Sequence, residues 1–447
     1  MPMLDYLIKD GLILTGSSAF PDPIQKGMIG IREGRIHYVG PYDPGTAGLP
    51  VKEQIDAAGF LILPGLVNTH SHAPMTLFRG LADDLPLKIW LEKTIVPAEA
   101  HFLDRESVYW GTLLACAEMI LSGTTTFADG YFFMDRVAQA VERSGMRALL
   151  CPGILDFPIP GIPDPSQNIL SAAGFVEDWQ NASPRIQTGL FCHSAYTCSP
   201  ETLKKVKAIS RRKNLPFYIH LAETREEVSA VLAGYGRTPV RHLHQLDLLD
   251  DRTVAVHAIH LDPSEIDLLS ETGTAVAHCP ESNMKLASGI APVLEMQAKG
   301  IRVGLGTDGS ASNNDLDLFG EMAAAARLEK VHHLNPTVLD ARTVVRMATL
   351  DGAGVIGLGE KIGSLEKGKE ADLILIDLAK PHLTPLYNVF SNLVYSASGA
   401  DVHTVMVGGR MLMRNRSIVA FDLGEVLDQV KRISRKINRS SHGARSG

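Results

Sequence analysis

The stretch Pro64-Gly-Leu-Val-Asn-Thr-His70-Ser-His72 decides the fold. An apolar run leads directly into an H-x-H pair, the pattern of a strand that delivers two imidazoles at its C-terminal end. In extended backbone, residues i and i+2 point to the same side, so His70 and His72 can face one point. Alone, such a pair is weak evidence of chemistry. Working outward, seven further strand candidates follow: Thr124-Thr-Thr-Phe-Ala-Asp129, Arg147-Ala-Leu-Leu-Cys151, Gln187-Thr-Gly-Leu-Phe-Cys-His193, Phe217-Tyr-Ile-His220, Thr253-Val-Ala-Val-His257, Thr274-Ala-Val-Ala-His278 and Ile301-Arg-Val-Gly-Leu-Gly-Thr-Asp308. Helical stretches such as 107–121 and 201–212 lie between them. Eight β/α units in a row predict a (β/α)8 TIM barrel rather than an open doubly wound sheet. Most of these strands end in His or Asp. A barrel brings all its strand ends to one mouth, whereas an open sheet spreads them along a line.

The chain ends have a different texture. Tyr6 to Thr15 breaks at Gly11, and Gly27 to Gly40 breaks at Glu33-Gly34, as hairpins do. Similar short strands return at Ala371-Asp-Leu-Ile-Leu-Ile-Asp377 and Thr404-Val-Met-Val-Gly-Gly-Arg-Met-Leu-Met413. This predicts a small β-sandwich domain assembled from 1–60 and 360–420, a barrel over 61–359, and a C-terminal helix and tail over 421–447. The last stretch, from Ser440 to Gly447, has the composition of an unstructured tail.

Composition fits a globular protein: of 447 residues, 45% are hydrophobic and 21% charged, enough for a large core. A net charge of -7 argues against nucleic acid or an anionic membrane as partner. Five scattered cysteines without a C-x-x-C pair suit a reducing, cytoplasmic setting. No leader-like segment and no membrane-length apolar run is present. The composition allows a homo-oligomer and does not require one.

The chemistry concentrates at the strand ends. His220, in His220-Leu-Ala-Glu223, adds a third imidazole, and Glu223 sits three residues on, placed to shuttle protons. Asp308 can ligate a metal through one oxygen and accept a proton through the other, although a lone Asp-Gly is more often just a turn. Three His and one Asp, with room for water, describe a catalytic zinc site. His193 and His257 close the fourth and sixth strands and read as groups that orient water or substrate. His260 and His278 remain open, while His242, His244, His332 and His333 read as surface.

These residues resemble a known group. Pro64 to His72, His220-Leu-Ala-Glu-Thr224, His278-Cys-Pro-Glu-Ser-Asn283 and Gly306-Thr-Asp-Gly309 are similar to the amidohydrolase superfamily. Ala73-Pro-Met-Thr-Leu-Phe-Arg-Gly-Leu-Ala-Asp-Asp-Leu-Pro-Leu87, with Trp90 and Pro97-Ala-Glu99, narrows the resemblance to the 5'-methylthioadenosine/S-adenosylhomocysteine deaminase family. The likeness extends over nearly the whole chain. It implies one Zn2+ (Fe2+ or Mn2+ as substitutes) on His70, His72, His220 and Asp308, and a nucleoside substrate. It further implies that Glu99 accepts hydrogen bonds from the ribose 2' and 3' hydroxyls. His193 and Glu223 correspond to purine contacts, and Trp90 and Ser312 to the pocket lining.

One departure bears on the substrate. Family members that act on S-adenosylhomocysteine can carry arginines after the third strand to clamp its carboxylate. Here Pro152 stands at the first such place, and Leu155-Asp-Phe-Pro-Ile-Pro-Gly-Ile-Pro-Asp-Pro-Ser166 contains no arginine. Without guanidinium there is no bidentate carboxylate contact. The resemblance therefore implies hydrolytic deamination of methylthioadenosine before S-adenosylhomocysteine, with Glu223, His257 and Asp308 catalytic. Other deaminases of the superfamily, acting on 5'-deoxyadenosine, aminodeoxyfutalosine, guanine or a triazine, are the alternative. A binuclear cyclic amidase would carry a bridging lysine at the fourth strand end, where Cys192-His193-Ser-Ala195 has none. A non-enzymatic scaffold fits poorly with an intact ligand set and Glu223.

Overall fold

The computed structural model describes residues 3–443. Both chain ends contribute to one nine-stranded sheet. Its N-terminal strands are β1 (Leu4–Ile13), β2 (Ile24–Arg32), β3 (Arg35–Gly40), β4 (Val51–Asp56) and β5 (Phe60–Pro64). The second sheet holds β6 (Leu66–Ser71), β7 (Thr124–Tyr131), β8 (Arg147–Ile154), β9 (Ile186–Thr188), β10 (Leu190–Ser194), β11 (Phe217–Leu221), β12 (Thr253–His257), β13 (Ala275–His278) and β14 (Val303–Leu305). The chain then returns to the first sheet with β15 (Leu373–Asp377), β16 (Val402–Val407), β17 (Arg410–Arg414) and β18 (Ser417–Ile418).

The first sheet runs β18-β17-β16-β15-β5-β1-β2-β3, with β4 beside β1. The antiparallel β15–β5 pair, Leu373 opposite Pro64, joins the two chain ends. This sheet packs about a core of its own, with Ile8, Ile29, Ile31, Ile62, Leu373 and Leu375. Arg147, at the start of β8, ties it to the barrel: Nε and Nη2 donate to the two oxygens of Asp372 at 2.9 and 3.1 Å, both side chains being buried.

The second sheet is a parallel barrel in sequential order, β6 to β14, with β9 a short extension on β8. Its ends close through the parallel bridge Ser71–Asp308 and through the amides of Thr307 and Asp308, which donate to His70 O at 3.1 and 3.0 Å. Alternate residues fill the interior (Leu149 and Cys151, Val254 and Val256, Ala275 and Ala277), as a closed barrel requires. The opposite faces pack on helices. Arg105–Leu121 is opened by an Asp104–Ser107 capping box, and Pro200–Lys213 starts at the Ser199 cap and stops at left-handed Asn214.

Two strands differ from the sequence expectation. The fourth breaks at Gly189, where backbone passes so close to Cys151 that a Cβ would lie 2.5 Å from its sulfur. The eighth is only Val303–Leu305. Gly306 then runs against the His70 backbone, leaving 2.9 Å between a Cβ and His70 N, and Asp308 turns into the left-handed region at φ 58°. His242, expected at the surface, is buried. The helix Pro239–Gln245 stacks its ring on Tyr235 at 4.0 Å, because the apolar faces of both rings lie inside the helix contact. The C-terminal helix, Leu423–Gly443, takes in the first residues of the stretch that composition reads as unstructured; 444–447 lie outside the described residues. No helix among the described residues is long and apolar enough to cross a membrane.

Candidate active site

Strand β6 and the turn after β14 bring His70, His72 and Asp308 together, and β11 adds His220. One ligand atom from each lies within 4.8 Å of all the others. Asp308 Oδ1 is 3.5 Å from His70 Nε2 and 3.3 Å from His72 Nε2, while His220 Nε2 is 3.3 Å from His70 Nε2. His72 Nδ1 lies 2.6 Å from Gly130 O and donates to it, so Nε2 carries the lone pair. Burial pushes His70 down to about 4 and His220 well below its ordinary value, keeping both neutral. Burial works against the charge of Asp308, but His70, His72 and His257 outweigh it and hold the carboxyl well below the usual range. Three imidazole nitrogens converging on one carboxylate oxygen form an N3O donor set, and these residues fit a divalent metal such as zinc.

Behind this cluster, Asp308 Oδ2 accepts from Ser282 Oγ at 2.7 Å and Ser312 Oγ at 2.8 Å, so each carboxylate oxygen has a separate task. Asn68 braces the barrel closure: its Nδ2 donates to Thr307 Oγ1 at 2.7 Å and its Oδ1 accepts from Thr307 N at 3.1 Å.

At the same mouth, His257 Nε2 lies 3.8 Å from Glu223 Oε2, and its ring is centred 5.4 Å from that of His220. His257 Nδ1 donates to Asn283 Oδ1 at 2.9 Å, which leaves Nε2 for the cleft. Burial would push His257 down, yet Glu223, Asp308 and Asn283 together raise it. Burial raises Glu223. The two groups thus form a carboxyl–imidazole pair in which each holds its proton more tightly than it would in water. His257 and Asp308 adopt φ of 71° and 58°, a conformation that costs a non-glycine residue roughly 1–3 kcal/mol.

His193 stands beside His220, ring centroids 4.9 Å apart, with Nδ1 3.0 Å from Thr197 Oγ1; burial pushes it down to about 4. Glu99 is buried on the helix Val96–Phe102 and accepts from the Tyr131 hydroxyl at 2.6 Å. Burial pushes Glu99 up to about 7. Trp90 is buried too, and its one polar group donates to Ala82 O at 3.1 Å, so it offers a ligand only ring surface. Ser312 lies against Asp308.

The loop after β8 presents Phe157, 53% exposed, and a small turn in which Ile159 pairs with Ile162. Its two carboxylates are occupied: Asp156 accepts from Ser199 N and Thr202 Oγ1 at 2.6 and 2.7 Å, and Asp164 from Ser166 N at 3.0 Å.

Asn68, Tyr131, Ser282 and Asn283 escaped the sequence reading, and Asp129 entered it as a strand end without a role. Asn68 shares the strand parity of His70 and His72 and is the only polar side chain in the run Leu63–Asn68, a visible signal. Ser282 and Asn283 sit inside the quoted His278–Asn283 motif, but only folding shows which ligand they support. His278 is buried and His260 Nε2 donates to Ser288 O at 2.8 Å; neither is among the four converging ligands.

Residues 61–412 match the model of the amidohydrolase family. The chain is 46% identical to a 5-methylthioadenosine/S-adenosylhomocysteine deaminase of Syntrophobacter fumaroxidans, covering 97% of this chain and 98% of the relative. It is 45% identical to a 5'-deoxyadenosine deaminase of Methanosarcina mazei, covering 97% and 99%. An adenosine deaminase structure from Xanthomonas campestris with bound zinc superposes with a TM-score of 0.95 at 36% identity, covering 98% of this chain and 99% of that one.

Proposed function

Since the chain belongs to the amidohydrolase family, in its 5-methylthioadenosine/S-adenosylhomocysteine deaminase group, we propose that it hydrolyses the C6 amine of 5'-modified adenosines. 5'-Methylthioadenosine is the first candidate, and the products are the inosine-type nucleoside and ammonia. The observation that carries this reading is the N3O cluster lying beside the Glu223–His257 pair at one barrel mouth.

In this reading His70, His72, His220 and Asp308 hold zinc, which when bound supplies the Lewis acidity that makes water nucleophilic near neutral pH. Asp308 takes the proton of the attacking water while Ser282 and Ser312 keep its carboxylate from swinging away. His257, its Nδ1 committed to Asn283, turns Nε2 toward the water and polarises it. Burial favours the protonated form of Glu223, which delivers its proton to ring N1 as oxygen adds at C6. The proton taken by Asp308 then goes to the amine, the C6–N bond breaks to release ammonia, and the proton of the added hydroxyl returns to Glu223 as the C6 carbonyl forms. His193 contacts the purine, Trp90 and Ser312 line the pocket, and Glu99 accepts from the ribose 2' and 3' hydroxyls.

The loop after β8 supports an uncharged 5' group. It holds no guanidinium, and both its carboxylates serve neighbouring backbone and hydroxyl groups. The Methanosarcina mazei relative favours 5'-deoxyadenosine as a second reading, which keeps every residue role and changes only the 5' end. Ammonia release should be measured with methylthioadenosine, 5'-deoxyadenosine, adenosine, S-adenosylhomocysteine, guanine and aminodeoxyfutalosine, with metal analysis of the same preparation. Turnover of the first two above S-adenosylhomocysteine, with one zinc per chain, is the expected result. Preference for guanine would overturn the nucleoside reading.

A further inference from the structure

The last three residues of β7 each hold a different part of the site. Asp129 Oδ1 accepts from Ala73 N at 2.5 Å and Ser71 Oγ at 3.1 Å, bracketing His72 on both sides. Gly130 O takes the Nδ1 proton of His72 at 2.6 Å. A side chain at residue 130 would meet the Phe191 ring at 2.6 Å, and that ring lies edge-on to His220 at 4.8 Å. Tyr131 then passes its hydroxyl to Glu99 at 2.6 Å, and its ring is centred 6.1 Å from that of His72. One rigid strand end thus reaches both the metal-ligating imidazole and the helix that carries Glu99.

We propose that Tyr131 is the positioning residue for ribose recognition: its hydroxyl aims the Glu99 carboxylate and registers it against the metal ligands through the Asp129-Gly130-Tyr131 strand end. The inference rests on the reading of Glu99 as the ribose contact and adds the group that sets its direction. A carboxylate has lone pairs for several donors. With the Tyr131 hydroxyl holding one of them on Oε1, the remaining ones point where the paired 2' and 3' hydroxyls can reach. Without that hydroxyl, the buried Glu99 carboxylate loses the one hydrogen-bond partner it has among the described residues, and with it a defined rotamer. Tyr131 is not among the four converging ligands and its hydroxyl is committed to Glu99, so it acts on binding and not on the chemical step.

The test compares adenosine with 2'-deoxyadenosine in the zinc-loaded wild type, Y131F, E99Q and the double variant. For Y131F we expect KM for adenosine to rise roughly tenfold or more, the scale of one hydrogen bond to a charged group. KM for the deoxynucleoside should change far less and kcat should stay within about twofold, since the reacting groups are untouched. Zinc affinity by chelator competition should stay at the wild-type value, which separates this role from general damage to the site. In the E99Q background the same change should add nothing to the loss of discrimination. A wild type that discriminates, with Y131F discriminating equally well, would overturn the inference alone. A wild type indifferent to the 2' hydroxyl would overturn the Glu99 reading and the inference with it.

Discussion

Replacing Glu99 by glutamine should move stability and activity in opposite directions. Burial raises this carboxyl from 4.5 to about 7 against the pull of the Tyr131 hydrogen bond. At about 1.4 kcal/mol per pH unit, that shift corresponds to on the order of 3 kcal/mol. Between the unfolded value and about 7, the folded chain keeps a proton that the unfolded chain has lost. Stability therefore falls as pH rises through that window, and the full loss is present above it. Glutamine keeps an oxygen for Tyr131 and carries no charge to bury. In urea denaturation of substrate-free protein, E99Q and wild type should differ little near pH 4.5. By pH 8, E99Q should be more stable by roughly 3 kcal/mol. In ammonia-release assays the same variant should lose roughly a hundredfold or more in kcat/KM for ribonucleosides, as one or two hydrogen bonds to a charged acceptor disappear. The wild-type acid limb near 7, below which the protonated Glu99 accepts poorly, should vanish with it. A stability difference that does not change with pH would refute the burial argument, and unaltered ribonucleoside kinetics would refute the role in binding.

Three further outcomes follow from the site and its frame. E223Q should retain its metal in elemental analysis while kcat drops by about 10²–10⁴, the usual worth of general acid–base catalysis; near-normal kcat would remove Glu223 from the mechanism. S282A, which strips one of the two hydroxyls from Asp308 Oδ2, should weaken zinc binding by about tenfold or more in a chelator titration, and an unchanged dissociation constant would show that Ser312 alone suffices. R147M leaves Asp372 buried without its bidentate partner and should cost about 3–5 kcal/mol in denaturant unfolding, with KM unchanged in the folded enzyme; a loss under 1 kcal/mol, on the scale of an exposed pair, would mean that this contact does not join sheet to barrel.

The barrel was legible because its signal is local. Each strand is a short apolar run, and period-two geometry alone puts His70 and His72 on one side. The convergence of His220 and Asp308 followed from topology, since every parallel strand of a closed barrel ends at the same mouth. The loop without arginine was equally plain, because an absent side chain needs no coordinates. Local patterning misjudged His242: the helix bearing it looks polar, and only the stacking partner Tyr235 explains why it is inside.

What only the tertiary structure decided is which polar groups meet across distant segments. Nothing local ties Ser282 to Asp308, Asn283 to His257, or Tyr131 to Glu99, since each pair lies 26 or more residues apart. The left-handed turns at His257 and Asp308 likewise depend on the closed barrel: Asp and His enter that conformation more readily than most residue types, but only the surrounding packing fixes which of them do. The sequence by itself determined the barrel, the four candidate metal ligands at its mouth and the class of chemistry, since strand period and strand-end composition are properties of short segments. The direction in which each ligand and acid points, and the protons each holds, arise from burial and long-range hydrogen bonds, which exist only once the barrel has closed.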